Sequence, residues 1–259
     1  MLKAVVFDMD STLLDINLGA FVAVLAKDES KLLADIGRKN PLSMFAAYTA
    51  AVYELNRAER DNTCTNRELF CSTIERRGGV VLADPIIAEA LAFFEREVLP
   101  HRNDGIIAAH PMEGGLEALS CVLDRGLRVA LLTNPCFTRE CIECRMGWAN
   151  IHDMPFELVT TMENTRRSKP NPDYYRDALD EMGLAPEEVL MVGNDPRRDF
   201  PDPDIGLQTA FVGRGTPVRA TWCGPMADFA ASFDEIEERF YERQEKPLVE
   251  LVQNVAHAR

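Results

Sequence analysis

The chain has 259 residues, enough to bury a substantial core as one domain with an insertion. Its 46% hydrophobic and 27% charged residues are the proportions of a globular protein, and no apolar run approaches membrane-helix length. A formal net charge of −14 excludes nonspecific nucleic-acid binding, which needs basic patches, and obliges any phosphate site to supply its own local cation.

The first element is an apolar run, Ala4-Val5-Val6-Phe7, which predicts a buried strand over 3–7. It ends in Asp8-Met9-Asp10-Ser11-Thr12. Side chains two apart on an extended segment point the same way, so Asp8 and Asp10 face one spot while Met9 turns to the core. Converging carboxylates repel unless a divalent cation or a shared proton offsets the charge. Both arrangements suit phosphoryl chemistry. The same two acids interrupt the N-terminal apolar run too early for a signal peptide. The seven cysteines, an odd number, then read as free thiols in a reducing compartment, and the expected location is cytoplasmic.

The stretch from Asp15 to Ala108 is too long for a single crossover and reads as an inserted helical domain. Residues 45–60 and 86–98 have helical composition, the second preceded by Asp84-Pro85 as a start signal. The sequence predicts a helix over 113–124 that stops at Gly126, then a second buried strand over 128–132 ending in Thr133-Asn134. A Thr hydroxyl and the backbone N–H groups after it can hold phosphoryl oxygens. Cys141 and Cys144, with Cys136 and His152 near, lack the second close pair of a structural zinc site; they fit one face of a helix as small core residues. A short strand is expected at 158–160.

Ser168-Lys169-Pro170-Asn171 follows, with Lys169 just ahead of a helix over 172–182 that opens on Pro172 and closes on Gly183. Lys169 is the local cation a phosphate site would require. Strands are predicted at 189–192, running into Gly193-Asn194-Asp195 and on to Asp199, and at 209–212. Residues 233–259 read as one or two charged amphipathic helices interrupted at Pro247.

Strands alternating with helices imply a parallel sheet, with ligands beyond the strands' carboxyl ends. Taken singly, Asp8-x-Asp10, Thr133-Asn134, Lys169 and Asp195 pass as turns and a solvated lysine. Together, four strand ends of one sheet offer what a phosphoryl site requires.

In this arrangement the chain resembles the haloacid dehalogenase superfamily, in particular its phosphatase branch. The first motif of that family is seen as Phe7-Asp-Met-Asp-Ser-Thr-Leu13, the second as Leu131-Leu-Thr-Asn134, the third as Ser168-Lys169-Pro170, and the fourth as Gly193-Asn-Asp195 through Asp199. The resemblance covers nearly the whole chain. It implies an α/β fold, a Rossmann-like parallel sheet core (1–15 and 109–259) with an inserted α-helical cap domain (16–108). It also implies Mg²⁺-dependent hydrolysis of a phosphate monoester. Asp8, with a carboxylate pKa near the ordinary value of about 4, is the nucleophile, and Asp10 the general acid and base. Thr133, Asn134 and Lys169 hold the phosphoryl group. Asp8, Asp195 and the backbone carbonyl of Asp10 hold the metal, with Asp199 a further candidate.

Two departures stand out. Asn194 occupies a place where many relatives have Asp, and Pro201 and Pro203 break a helix expected after Asp199. The alternatives are a phosphomutase, a dehalogenase, which would lack the second Asp, or a phospho-ligand-binding protein without catalysis. A phosphonate-cleaving relative would need a cap lysine; Lys27, Lys31 and Lys39 are available. Arg57, Arg60, Arg76 and Arg77 are the cap cations able to meet an anionic group, and His101, His110, His152 and His257 form no pattern. The expected partner is a small phosphorylated metabolite, with no nucleic acid and no membrane, acting on a monomer or homodimer.

Overall fold

The computed structural model describes residues 1–57, 60 and 63–244. Five parallel strands form the main sheet in the order β4-β1-β5-β6-β7. These are β1 (Ala4–Phe7), β4 (Arg128–Leu131), β5 (Val189–Gly193), β6 (Gln208–Val212) and β7 (Ala220–Gly224); β2 (Leu14–Asp15) and β3 (His110–Pro111) form a separate antiparallel pair. Alternation along each strand serves two cores. Val5, Phe7, Val129, Leu131, Leu190 and Val192 point to one face. There they meet α5 (Gly115–Asp124), α6 (Arg139–Trp148), α8 (Met226–Phe229) and α9 (Phe233–Gln244). Ala4, Val6, Ala130 and Met191 point to the other, against Tyr175, Ala178 and Leu179 of α7 (Pro172–Met182). Each large apolar side chain buried this way contributes roughly 1.5–3 kcal/mol.

The register sets up the site. Phe7 lies opposite Leu131 on one side and Val192 on the other. The residues that follow, Asp8, Leu132-Thr133 and Gly193-Asn194, therefore emerge together at one edge of the sheet. Asp8 is tied down there by its N–H, which donates to the Val192 carbonyl at 2.8 Å.

The chain leaves this edge through β2 and returns through β3, with Leu14 opposite Pro111. Between them lie α1 (Leu18–Gly37), α2 (Pro41–Leu55), α3 (Asn66–Gly78) and α4 (Pro85–Phe93). A π-helical turn (Phe94–Val98) and a 3-10 turn (Leu99–Arg102) complete the insert. Local signals start these helices. Asn40 and Asp84 cap α2 and α4 ahead of Pro41 and Pro85, and Thr65 with Glu68 forms a reciprocal capping box on α3. The insert has an apolar core of its own, including Leu33, Met44, Ala51, Phe70 and Ile74.

The structure differs from the sequence reading in several places. Residues 158–160 pair with β4 through a single bridge, Leu131 to Val159, because the Asn164 side chain takes the Thr161 N–H at 2.8 Å and ends the pairing. Strand β7 is not among the strands the sequence predicts; its buried Thr221 donates to Gln208 of β6 at 2.9 Å, and polar inward residues hide the apolar alternation. The helix expected over 45–60 is α2, four residues earlier at its start; 58 and 59 lie outside the described residues. The segment after Asp199 forms only a 3-10 turn at Pro203–Ile205. The tail helix is present as α9, and 245–259, with the Pro247 break, lies outside the described residues. No described helix is long and apolar enough to cross a membrane.

Candidate active site

Lys169 sits at the centre of the group. Its Nζ donates to Asp8 Oδ1 and to Asp199 Oδ1, both at 2.7 Å, with the lysine side chain 1% exposed. The second oxygen of Asp199 accepts from the backbone N–H groups of Asn194 (3.0 Å) and Asp195 (2.9 Å). Gly193 permits this close packing: a Cβ there would stand 2.4 Å from Asp199 Cγ. Asp199, expected as a possible metal ligand, thus has both oxygens engaged by protein donors.

Burial pushes the Asp8 carboxyl up, Lys169 pulls it back, and Asp199 and Asp10 push it up again, to about 7. The ordinary value near 4 expected from the sequence does not hold, because the sheet edge removes this carboxylate from water. For Lys169, burial works against the ammonium charge, but Asp199 and Asp8 outweigh it and hold the group well above its usual value.

Thr133 is fully buried, and its Oγ1 has no partner among the described residues. Its backbone is fixed, since the carbonyl accepts from Thr160 Oγ1 and Tyr174 Oη, each at 2.8 Å. Asn134 Oδ1 is likewise buried without a partner. Two adjacent polar side chains with unused oxygens at a strand end are what a bound polar ligand would complete.

The Thr12 hydroxyl stands 3.4 Å from both Asp8 Oδ2 and Asn194 Oδ1, which brings Asn194 into the group. The Asp195 carboxylate caps its own turn instead: Oδ1 accepts from Arg197 N at 2.9 Å and Oδ2 faces Arg198 at 3.8 Å. Among the described residues no three His, Cys, Asp or Glu side chains gather as a metal cluster. Cys141 and Cys144 both pack with the first core, Cys141 fully buried.

Asp10 has a partner that the sequence reading missed. Arg145 Nη1 donates to both of its carboxylate oxygens, at 2.8 and 2.7 Å. The guanidinium stacks over Phe137 (4.3 Å) and Phe21 (5.2 Å). A signal existed: Cys141, Ile142, Arg145 and Met146 are the buried positions of α6, and an arginine in that register is out of place on a solvated face.

Asp10 also lines a cavity of about 170 Å³ between the sheet edge and the insert, with Asn134, Phe137 and Arg198 on one side and Val22, Tyr48, Val52 and Asn56 on the other. The insert cations do not line it. Arg57 pairs with Glu54 at 3.0 Å, Arg60 donates to Asn66, and Arg76 and Arg77 are exposed. Lys27, Lys31 and Lys39 are exposed as well, as are His101, His110 and His152; His257 lies outside the described residues.

Residues 2–201 match the haloacid dehalogenase-like hydrolase family. The chain belongs to the haloacid dehalogenase-like hydrolases. Within this family it is similar to the phosphoserine phosphatase of Thermus thermophilus, 38% identical over 151 residues, which cover 57% of this chain and 54% of that protein. The chain thus spans about half the length of that relative. It is also similar to the phosphoglycolate phosphatase of Thiobacillus denitrificans, 27% identical over 198 residues, covering 74% and 75%. Among solved structures, the HAD phosphatase from Thermococcus onnurineus shares the fold at a TM-score of 0.54 and 15% identity, over 91% of this chain and 97% of the other.

Proposed function

We propose that this hydrolase releases phosphate from a small phosphate monoester through a phosphoaspartyl intermediate on Asp8, as a cytoplasmic enzyme whose insert (16–108) caps the site. The observation that carries the reading is the buried Asp8–Lys169–Asp199 group at the same sheet edge as the unpartnered Thr133 hydroxyl, with a second carboxylate, Asp10, on the cavity wall. The phosphatase relatives support the reaction class, and their named substrates support a small phosphorylated metabolite.

In this reading an oxygen of Asp8 forms the new bond to phosphorus while the bond to the ester oxygen breaks. Asp10, which gives up one of its two Arg145 contacts when it carries a proton, passes that proton to the departing oxygen, then takes a proton from the water that attacks the phosphoaspartate. Thr133 Oγ1, with the N–H groups that follow it, and Lys169 receive the phosphoryl oxygens. Asp8 is regenerated as phosphate leaves. The residues fit a divalent cation such as Mg²⁺, which favours few carboxylates and several waters. Asp8, the backbone carbonyl of Asp10 and Asn194, with Asp195 beside it on the same turn, would hold it. When bound it would neutralise charge on the phosphoryl group. The cavity wall from the insert is largely apolar (Leu18, Val22, Leu25, Val52), which favours an alcohol portion with an uncharged face.

The test is phosphate release from 4-nitrophenyl phosphate with Mg²⁺, with chelator, and with Asp8→Asn. The expected result is metal-dependent turnover that falls by more than about 10³-fold in Asp8→Asn. Turnover surviving that substitution, or none in the folded wild type on any monoester of a small panel, overturns the reading.

A further inference from the structure

We infer that Arg145 is the positioning residue for Asp10, and that it ties the orientation of this carboxylate to the seating of the insert. The inference rests on the acid–base role proposed for Asp10.

Stability does not account for Arg145. Its side chain is 0% exposed, and Nε and Nη2 have no partner among the described residues. Removing such an ion from water costs several kcal/mol, and well-packed apolar side chains in place of a buried ion pair are often neutral or stabilising. The two phenylalanine faces offset part of the cost. What an apolar residue could not supply is the contact with Asp10. One nitrogen, Nη1, reaches both oxygens, so turning the carboxylate about its Cβ–Cγ bond would break a contact.

The surroundings make the contact directional. Phe137 belongs to the loop after β4 that carries Thr133 and Asn134, whereas Phe21 lies in the first turn of α1, just beyond the neck of the insert. The two rings meet at 5.5 Å. Arg145 therefore touches the phosphate-side loop, the insert and Asp10 at once. A shift of α1 would move Phe21 against the guanidinium and, through it, alter where Asp10 points into the cavity.

The experiment compares two monoesters that differ in their need for a proton on the departing oxygen. 4-Nitrophenolate leaves without one; butanol from butyl phosphate does not. Four proteins are assayed with both: wild type, Arg145→Met, Asp10→Asn and the double variant, each checked for folding by urea titration. General acid–base catalysis contributes about 10²–10⁴-fold. In Arg145→Met, the single-turnover rate of butanol release is expected to fall by about 10²-fold and that of 4-nitrophenol release by less than about threefold, whereas hydrolysis of the phosphoaspartate, which uses Asp10 as base after either ester, slows alike for both. Adding Arg145→Met to Asp10→Asn is expected to cost less than about threefold more, because the residues act as one unit. Arg145→Lys, which keeps a charged donor but not the guanidinium plane stacked on Phe137 and Phe21, is expected to recover part of the loss; if Arg145→Met does not fold, this variant carries the same comparison.

Equal losses in the single-turnover release of the two alcohols, or an undiminished loss in the Asp10→Asn background, would show a merely structural arginine and overturn the inference. Undiminished butyl phosphate hydrolysis by Asp10→Asn alone would instead overturn the acid–base role on which it rests.

Discussion

Lys169 is held as closely by Asp199 as by Asp8, at 2.7 Å to each. Asp199 divides its oxygens: one receives the ammonium, the other the N–H groups of Asn194 and Asp195. This single carboxylate therefore sets both where the cation stands and how the turn after β5 is folded.

From this follows an unusual result for a near-isosteric change. An asparagine at 199 has one oxygen and one NH₂ group, so it must present a donor either to the ammonium or to the two N–H groups. Asp199→Asn is expected to be almost as damaging as Asp199→Ala, each destabilising by about 3–5 kcal/mol, the usual cost of breaking a buried pair. Urea unfolding of both variants checks this; an Asn variant within about 1 kcal/mol of wild type would contradict it.

Thr133 separates stability from activity. Its hydroxyl is buried and unpartnered, so Thr133→Val should leave the unfolding midpoint unchanged or raise it. If the hydroxyl receives a phosphoryl oxygen, turnover in the same variant should fall by about 10²-fold. Urea titration and steady-state kinetics on one preparation decide the matter, and equal activity would remove Thr133 from the site.

Much of this arrangement was legible in the chain because strands report their direction. The apolar run of β1 ends at Asp8 and so places this carboxylate at the strand's carboxyl end, and the Pro172 and Gly183 signals bound α7 to the residue. Arg145 was harder to read. A helix rich in charged residues suggests a solvated face, and only its coincidence with Cys141, Ile142 and Met146 marks the arginine as buried. The partition between Asn194, Asp195 and Asp199 could not be read from spacing. It depends on which side chain folds back under a turn, a choice made by the Lys169 charge arriving from another loop.

Gly193 is required by that fold-back. Its added Cβ would meet Asp199 Cγ and Oδ2 at 2.4 Å, and Asp199 cannot withdraw without releasing Lys169. Gly193→Ala is expected to destabilise by at least about 2 kcal/mol, toward the upper end of overpacking effects. Because both changes act on one carboxylate, Gly193→Ala and Asp199→Ala should be strongly non-additive in a double-mutant cycle. Additive costs would mean that the glycine serves some other purpose.

The junction between insert and sheet predicts a pH dependence of stability. Glu29 of α1 and Glu95 of the π-helical turn lie together, both buried. Tyr48 Oη donates to Glu29 at 2.8 Å, and Thr138, at the start of α6, donates to Glu95 at 2.7 Å. Burial pushes Glu29 from 4.5 up to about 7, with Tyr48 and Glu95 pulling back; burial and the neighbouring Glu29 push Glu95 well above its usual value. A carboxyl whose folded pKa is raised binds its proton more tightly in the folded state. Its contribution is therefore fully present below about pH 4.5 and is lost as pH rises through about 7. For Glu29 the loss is roughly 3 kcal/mol at most. The urea midpoint of the wild type should fall between pH 5 and pH 8 by an amount that Glu29→Gln, neutral at every pH, reduces. Asp8 titrates in the same direction, and the difference between wild type and Glu29→Gln isolates the junction from it. Parallel pH curves for the two proteins would show that Glu29 is ionised throughout and that the pair does not hold a proton.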